Sequence, residues 1–298
     1  MLVLVAPGQG AQTPGFLTPW LELPGLADRL AGWSDVVGLD LIKYGTEGDA
    51  DEIRDTAVAQ PLLVAAALAS AEALGVTPDL VAGHSVGEFA TAALSGSLTP
   101  EQALALVRER AQAMAEAAAV TQTGMTAVLG GDEAEVLAAI DKQGLTPANI
   151  NGAGQIVAGG TLEQLAAFKE DAPARARLIP LSVAGAFHTH HMAPAVERLR
   201  AAAASVTPAD PSVRLLQNAD GQVVSTGADL MERLVAQVSA PVRWDSCVAA
   251  MAELGVTKMI ELLPGGTLTG LAKRGLRGVQ TVALKTPDDL DKARELIK

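Results

Sequence analysis

The sequence predicts an α/β fold: a mostly parallel-sheet core carrying an inserted small ferredoxin-like subdomain. Three observations carry this prediction. Short apolar runs alternate with helical patterns on both sides of the middle of the chain. One such run stops at a glycine loop, and another runs straight into Gly83-His84-Ser85-Val86-Gly87 ahead of an Ala-rich helix. Between Gly124 and His188 the pattern changes to the order βαββαβ, which is that of a ferredoxin-like unit. The expected division is a large discontinuous α/β domain of residues 1–119 and 192–298, with residues 120–191 as the insertion.

Taken in order, Leu2-Val3-Leu4-Val5 opens as a strand and ends at Pro7-Gly8-Gln9-Gly10, where two glycines allow close backbone approach. An apolar helix is expected over 62–74, with Pro61 in its first turn. Asp79-Leu80-Val81-Ala82 reads as a short buried strand entering the Gly83 loop, and a helix follows from Glu88. The next helix has Thr99 as N-cap and Pro100 at its first position, and extends to about Ala118. At roughly 100° per residue, Ala103, Leu106, Val107, Met114 and Ala117 share one stripe, with Arg110 in its middle. A permanent cation there is costly unless an anion meets it. The insertion reads as strand 125–129, helix 133–143, strands 148–151 and 155–158, helix 162–169 and strand 177–183. The larger domain resumes near Met192, with strands expected near Val213, Met259 and Val282.

Composition narrows the function classes. With 298 residues, 49% of them hydrophobic, the chain can bury a sizeable core and lacks the composition of a disordered one. Its net charge of −12 disfavours nucleic acid, because that affinity comes from Lys and Arg neutralising phosphates. Cys247 is the sole cysteine, so neither an intrachain disulfide nor a Cys-rich zinc site is possible, and the expected compartment is the cytoplasm. The uncharged stretch from Thr56 to Ala71 contains Gln60 and Pro61 and falls short of a bilayer span, and Met1 to Val5 has no basic flank; no membrane association is expected.

The strongest chemical signal is Gly83-His84-Ser85-Val86-Gly87. A strand, a sharp turn of small residues around a serine and a helix make a nucleophile elbow, and they make the core hydrolase-like. The Val86 N–H would then face an oxyanion, with the helix dipole behind it. A serine nucleophile needs a base, and the histidines are His84, His188, His190 and His191. His84 is adjacent to Ser85 and is expected to support the turn; spacing leaves His188, His190 and His191 open. The same trio could hold a metal, but no further ligand completes the set, and no metal is expected. Gly8-x-Gly10-x-x-Thr13 is a near miss for a dinucleotide fingerprint, broken by Thr13 and by Pro14-Gly15 where a helix should run. Arg110 is either one half of a core ion pair or a clamp for an acidic substrate group.

Together these residues resemble the malonyl-CoA:acyl-carrier-protein transacylase (malonyltransferase) family, over essentially the whole chain. The marks are Pro7 to Gln12, Gln60-Pro61, Gly83 to Glu88, Arg110 with Met114, Asn151 through Gln155, Gly185-Ala186-Phe187-His188, Gln237 with Pro241 and Trp244, and Pro264 to Leu271. The resemblance implies Ser85 as nucleophile, His188 as general base, and the Gln237 backbone carbonyl in place of a third acid. It implies an oxyanion hole from the backbone N–H groups of Gln9 and Val86, and substrate binding by Arg110, Phe187, Asn151, Gln60 and Met114. Arg110 would pair with the malonyl carboxylate, and the Phe187 ring would leave little room for an α-methyl group. The Gly265-Gly266 pair departs from the family pattern, in which many members have one glycine and a larger residue.

The implied function is ping-pong transfer of malonyl from malonyl-CoA to the phosphopantetheine thiol of acyl carrier protein, supplying extender units for fatty-acid or polyketide synthesis. No cofactor is expected, and the chain is expected to be a monomer. Two other classes compete: a serine thioesterase or hydrolase with water as acceptor, and a nucleotide-binding module built on the Gly8 loop. An acidic carrier meeting a chain of net charge −12 needs a local basic footprint. Lys273, Arg274 and Arg277 are the docking candidates, with Arg175, Arg177, Arg198 and Arg200 as a second group.

Overall fold

The computed structural model describes residues 1–298. Strand β1 (Leu2–Ala6) leads into helices α1 (Leu26–Val37), α2 (Leu41–Thr46) and α3 (Thr56–Leu74), then β2 (Leu80–Gly83), α4 (Gly87–Leu94) and α5 (Pro100–Val120). The middle of the chain runs β3 (Thr123–Gly130), α6 (Glu133–Lys142), β4 (Thr146–Gly152), β5 (Gln155–Thr161), α7 (Leu162–Glu170) and β6 (Ala176–Pro180). The chain then continues through α8 (Ala193–Ala203), β7 (Arg214–Leu216), β8 (Val223–Val224), α9 (Gly227–Ala236), β9 (Val242–Arg243), α10 (Trp244–Glu253), β10 (Lys258–Glu261), α11 (Thr267–Gly275), β11 (Gln280–Ala283) and α12 (Asp289–Ile297).

Two sheets result. The larger has the order β11-β10-β1-β2-β7-β8, parallel throughout except for β8, which turns back antiparallel on β7. Burial on both faces is what permits a parallel sheet. Along β1, Leu2, Leu4 and Ala6 enter a core shared with α1, α3, α4 and α5, while Val3 and Val5 enter another with Trp244, Met251 and Leu271. The smaller sheet has the order β6-β3-β5-β4-β9, the ferredoxin-like arrangement of βαββαβ with β9 added parallel to β4. A separate core of Val128, Val136, Ile140, Ile156 and Phe168 lies beneath its helices.

The cap expected at Thr99 is a full capping box: its side chain accepts the Gln102 N–H while Gln102 accepts the Thr99 N–H. The start of α3 differs from expectation. The helix begins at Thr56, capped by the Asp55 side chain on the Ala57 N–H, so Pro61 lies inside it. Proline removes one intrahelical donor and leaves the Ala57 carbonyl free, and the Arg108 guanidinium donates to that carbonyl at 3.0 Å. The helix is long and apolar enough by composition to cross a bilayer, but it is enclosed within the protein. Strand β6 ends at Pro180, so Val183 falls in the irregular connection beyond it.

Candidate active site

Strand β2 delivers Ser85 to the turn before α4. A Cβ at Gly83 would lie 2.1 Å from the Gly87 carbonyl carbon, and one at Gly87 would lie 2.3 Å from the Ala6 oxygen, so both flanking positions require glycine. Ser85 itself has φ +51°, a left-handed conformation that costs a residue with a Cβ about 1–3 kcal/mol and persists only when its surroundings impose it. The turn presents Oγ to a cleft of about 230 Å³ lined by the loops after β1 and β2, by helices α3, α5 and α11, and by strands β3, β4 and β5 of the smaller sheet.

Of the three histidines left open by spacing, the structure brings His188 to the serine. The Ser85 hydroxyl lies 2.7 Å from His188 Nε2, and His188 Nδ1 lies 2.8 Å from the Gln237 backbone oxygen. A carbonyl can only accept, so Nδ1 carries the proton and Nε2 presents its lone pair to the hydroxyl. Burial first, and the Arg110 guanidinium second, push His188 down to about 3, which keeps the imidazole neutral. His190 and His191 sit on a 3-10 turn outside the cleft. His84 supports the elbow, with Nε2 2.9 Å from Asn151 Oδ1 and its ring edge-on to Trp244.

Arg110 is buried on α5, and its hydrogen-bond partners are all neutral. Its guanidinium donates to Gln60 Oε1 at 2.6 Å, Gln237 Oε1 at 2.8 Å and Ser85 Oγ at 3.3 Å, and Nε has no partner. Its Cζ lies 5.7 Å from the centre of the Phe89 ring. Burial brings Arg110 down to about 10, so it remains charged at neutral pH. The nearby carboxyl is Glu88, which burial pushes up to about 8 against the Asn218 N–H, Arg110 and the Gln237 amide. Glu88 makes no hydrogen bond to the guanidinium, so the groups that Arg110 contacts directly beside Ser85 carry no charge.

The other expected residues gather at the same cleft. Gln60, Met114, Phe187 and Asn151 line it, and the Gln60 amide donates to the Met114 sulfur at 3.5 Å. Gln9 and Val86 line it as well, and neither backbone N–H donates to a protein acceptor. The Gly8 loop does not begin a helix; Gly8 packs against His84, where a Cβ would lie 2.9 Å from Nδ1. Lys273 and Arg274 are exposed in the last turn of α11, whose first residues Thr267 and Leu268 line the cleft, and Arg277 is exposed just beyond. In the second basic group, Arg198 is taken up by Glu109, Glu116 and Gln112 at 2.7–3.0 Å and offers no free charge.

Two supporting residues carry no signal in the sequence analysis. Asn218 bonds the backbone on either side of His84. Glu261, fully buried at the end of β10, accepts the N–H groups of Gly266, Leu268 and Thr269 at 2.8–2.9 Å and so fixes the N-terminus of α11 against the cleft. The only trace of Glu261 in the sequence is an acid a few residues before a helix start.

Comparison with known proteins places the whole chain in one family. The acyl transferase domain family matches residues 3–287. The malonyl CoA-acyl carrier protein transacylase of Mycobacterium tuberculosis is 51% identical over 302 residues, covering 99% of this chain and 100% of that protein. A crystal structure of the enzyme from that organism superimposes with a TM-score of 0.95 at 52% identity, over 98% of this chain and 99% of the other. A malonyl-transacylase in complex with its holo type II polyketide-synthase acyl carrier protein superimposes with a TM-score of 0.91 at 31% identity, over 99% of each chain.

Proposed function

The chain belongs to the malonyl CoA-acyl carrier protein transacylase family, and from that premise we propose that it transfers malonyl from malonyl-CoA to the phosphopantetheine thiol of an acyl carrier protein through a malonyl-Ser85 ester. The observation that carries this reading is a neutral Ser85–His188 pair with a buried guanidinium, short of an anion, 3.3 Å from the serine oxygen. His188 Nε2 takes the Ser85 proton as Oγ bonds to the thioester carbonyl carbon. The carbonyl oxygen becomes an oxyanion facing the free N–H groups of Gln9 and Val86, each such donor contributing on the order of 100-fold or more. As that intermediate collapses, the carbon–sulfur bond breaks and the His188 proton goes to the departing coenzyme A sulfur. In the second half, the carrier thiol gives its proton to His188, its sulfur attacks the ester, and Oγ leaves and recovers the proton.

Arg110 holds the malonyl carboxylate through both halves, and Phe187 crowds the α-carbon. No step calls for a cofactor, since the acyl group arrives already activated as a thioester. The product supplies extender units for fatty-acid or polyketide synthesis. The hydrolase alternative gains no support from the full-length relatives. We also infer a cytoplasmic monomer, with residues 1–119 and 192–298 as the large domain and 120–191 as the smaller, and with Lys273, Arg274 and Arg277 as the carrier's basic footprint. Intact mass after mixing with malonyl-CoA tests the nucleophile: a malonyl adduct is expected on the protein and none on Ser85→Ala. An adduct forming on Ser85→Ala at the wild-type rate overturns the assignment.

A further inference from the structure

We infer that Asn218 is a positioning residue for the nucleophile: its carboxamide clamps the elbow and commits the Ser85 amide, so that the acyl oxygen is left to Gln9 and Val86. This rests on the reading of Ser85 as nucleophile. Asn218 follows β7, the strand beside β2, and is fully buried. Its Oδ1 accepts the Ser85 N–H at 2.7 Å, and its Nδ2 donates to the Gly83 oxygen at 2.7 Å. One side chain thereby bridges the two residues flanking His84, across the turn in which Ser85 is held at φ +51°.

The backbone of Asn218 is fixed in turn. Its N–H donates to Glu88 Oε1 at 2.6 Å, and its carbonyl accepts the Arg243 N–H at 2.7 Å. The Gln237 side-chain amide donates to the Ser85 oxygen at 3.0 Å and to Asn218 Oδ1 at 3.3 Å, while the Gln237 main-chain oxygen orients His188. The nucleophile's backbone and the base's orienting carbonyl are therefore held by one network centred on position 218. A buried acceptor and a buried donor must be met together, and the carboxamide meets both at any pH. Alanine leaves the Gly83 oxygen and the Ser85 N–H unpartnered. An ionised aspartate keeps the acceptor but loses the donor, whereas a protonated aspartic acid regains an O–H for the Gly83 oxygen.

That last property gives a test that a purely structural role would not pass. The titratable groups around position 218 are Glu88 on α4 and Cys247 on α10 in direct contact, His84 between the two residues that Asn218 clamps, Asp220 two residues on, and Arg110 and His188 across Gln237. Single-turnover acylation by malonyl-CoA is measured for wild type, Ser85→Ala, Asn218→Ala and Asn218→Asp, normalised to folded protein by circular dichroism. Displacing the nucleophile by about 1 Å costs on the order of 100-fold. A fall of that size is expected at pH 8 for both Asn218 variants, with half-saturation by malonyl-CoA within about threefold of wild type. The ratio of Asn218→Asp to wild type is expected to recover as pH falls toward 5, well beyond the small gain that wild type makes as Glu88 takes up its proton. Acylation of either variant at the wild-type rate per folded molecule overturns the proposal, as does Asn218→Asp tracking wild type across pH. If wild type itself forms no adduct, the nucleophile assignment fails instead.

Discussion

Replacing Arg110 by alanine removes the one buried cation facing the cleft, and the structure sets the scale of the loss. The guanidinium is desolvated and its hydrogen-bond partners are the neutral oxygens of Gln60, Gln237 and Ser85, so a malonyl carboxylate would be the one full counter-charge it contacts directly. Leaving a buried charge without its partner costs about 3–5 kcal/mol, which corresponds to roughly 10² to 10⁴-fold in kcat/KM. The substitution also strands the Gln60 and Gln237 side-chain oxygens, about 1–3 kcal/mol each, so the variant will be less stable. Taking the ratio of kcat/KM for malonyl-CoA to that for acetyl-CoA in the same preparation cancels any loss of folded protein. Acetyl has no carboxylate, so its rate is expected to hold or rise while the malonyl rate falls by about two orders of magnitude. An equal loss for both substrates would refute the clamp.

Shortening Phe187 to alanine is expected to raise methylmalonyl use relative to malonyl by about tenfold or more, the scale of one methyl group in a tight pocket; an unchanged ratio counts against steric selection. The pH profile of malonyl kcat/KM is expected to lack an acid limb near 6.5, because His188, held down to about 3, stays in its active neutral form above that value. The same shift lets the unfolded chain bind a proton between about 3 and 6.5 that the folded chain refuses, so His188 lowers stability as pH falls through that window. On the alkaline side, ionisation of Glu88 through about 8 supplies Arg110 with an internal counter-charge. Malonyl kcat/KM is expected to decline there, and Glu88→Gln to remove that limb; an identical limb in the variant excludes Glu88. Charge reversal at Lys273 and Arg274 is expected to raise the KM for carrier protein more than that for malonyl-CoA, and equal changes exclude that footprint.

Much of this was legible because its signals are local. The N-cap at Thr99 and the glycines around Ser85 declare themselves within a few residues, and the βαββαβ order within one continuous stretch of chain. What escaped is long-range or too short to show a period. Strands β8 and β9 have two residues each, and α3 runs through Pro61 because Arg108, from another helix, takes the carbonyl that the proline leaves free. Helices α1 and α2 went unassigned although Gly38 ends one and Asp40 caps the other. Residue-level roles split the same way. Arg110 could be flagged as a cation on an apolar stripe, but nothing in the chain says that its neighbours are neutral amides. Asn218 lies more than 130 residues from Ser85 and Gly83, the residues it holds, and no spacing rule reaches that far.

The account stands or falls on whether the acyl group rests on Ser85 and then leaves with a thiol. Intact mass spectrometry of the protein with malonyl-CoA, followed by addition of holo or apo carrier protein, reads both events at once. The account predicts a malonyl adduct that persists in buffer, clears when holo carrier is added with an equal mass gain on the carrier, and is untouched by the apo form. An adduct that decays to free malonate as fast without carrier as with it, or no adduct at all, would contradict it.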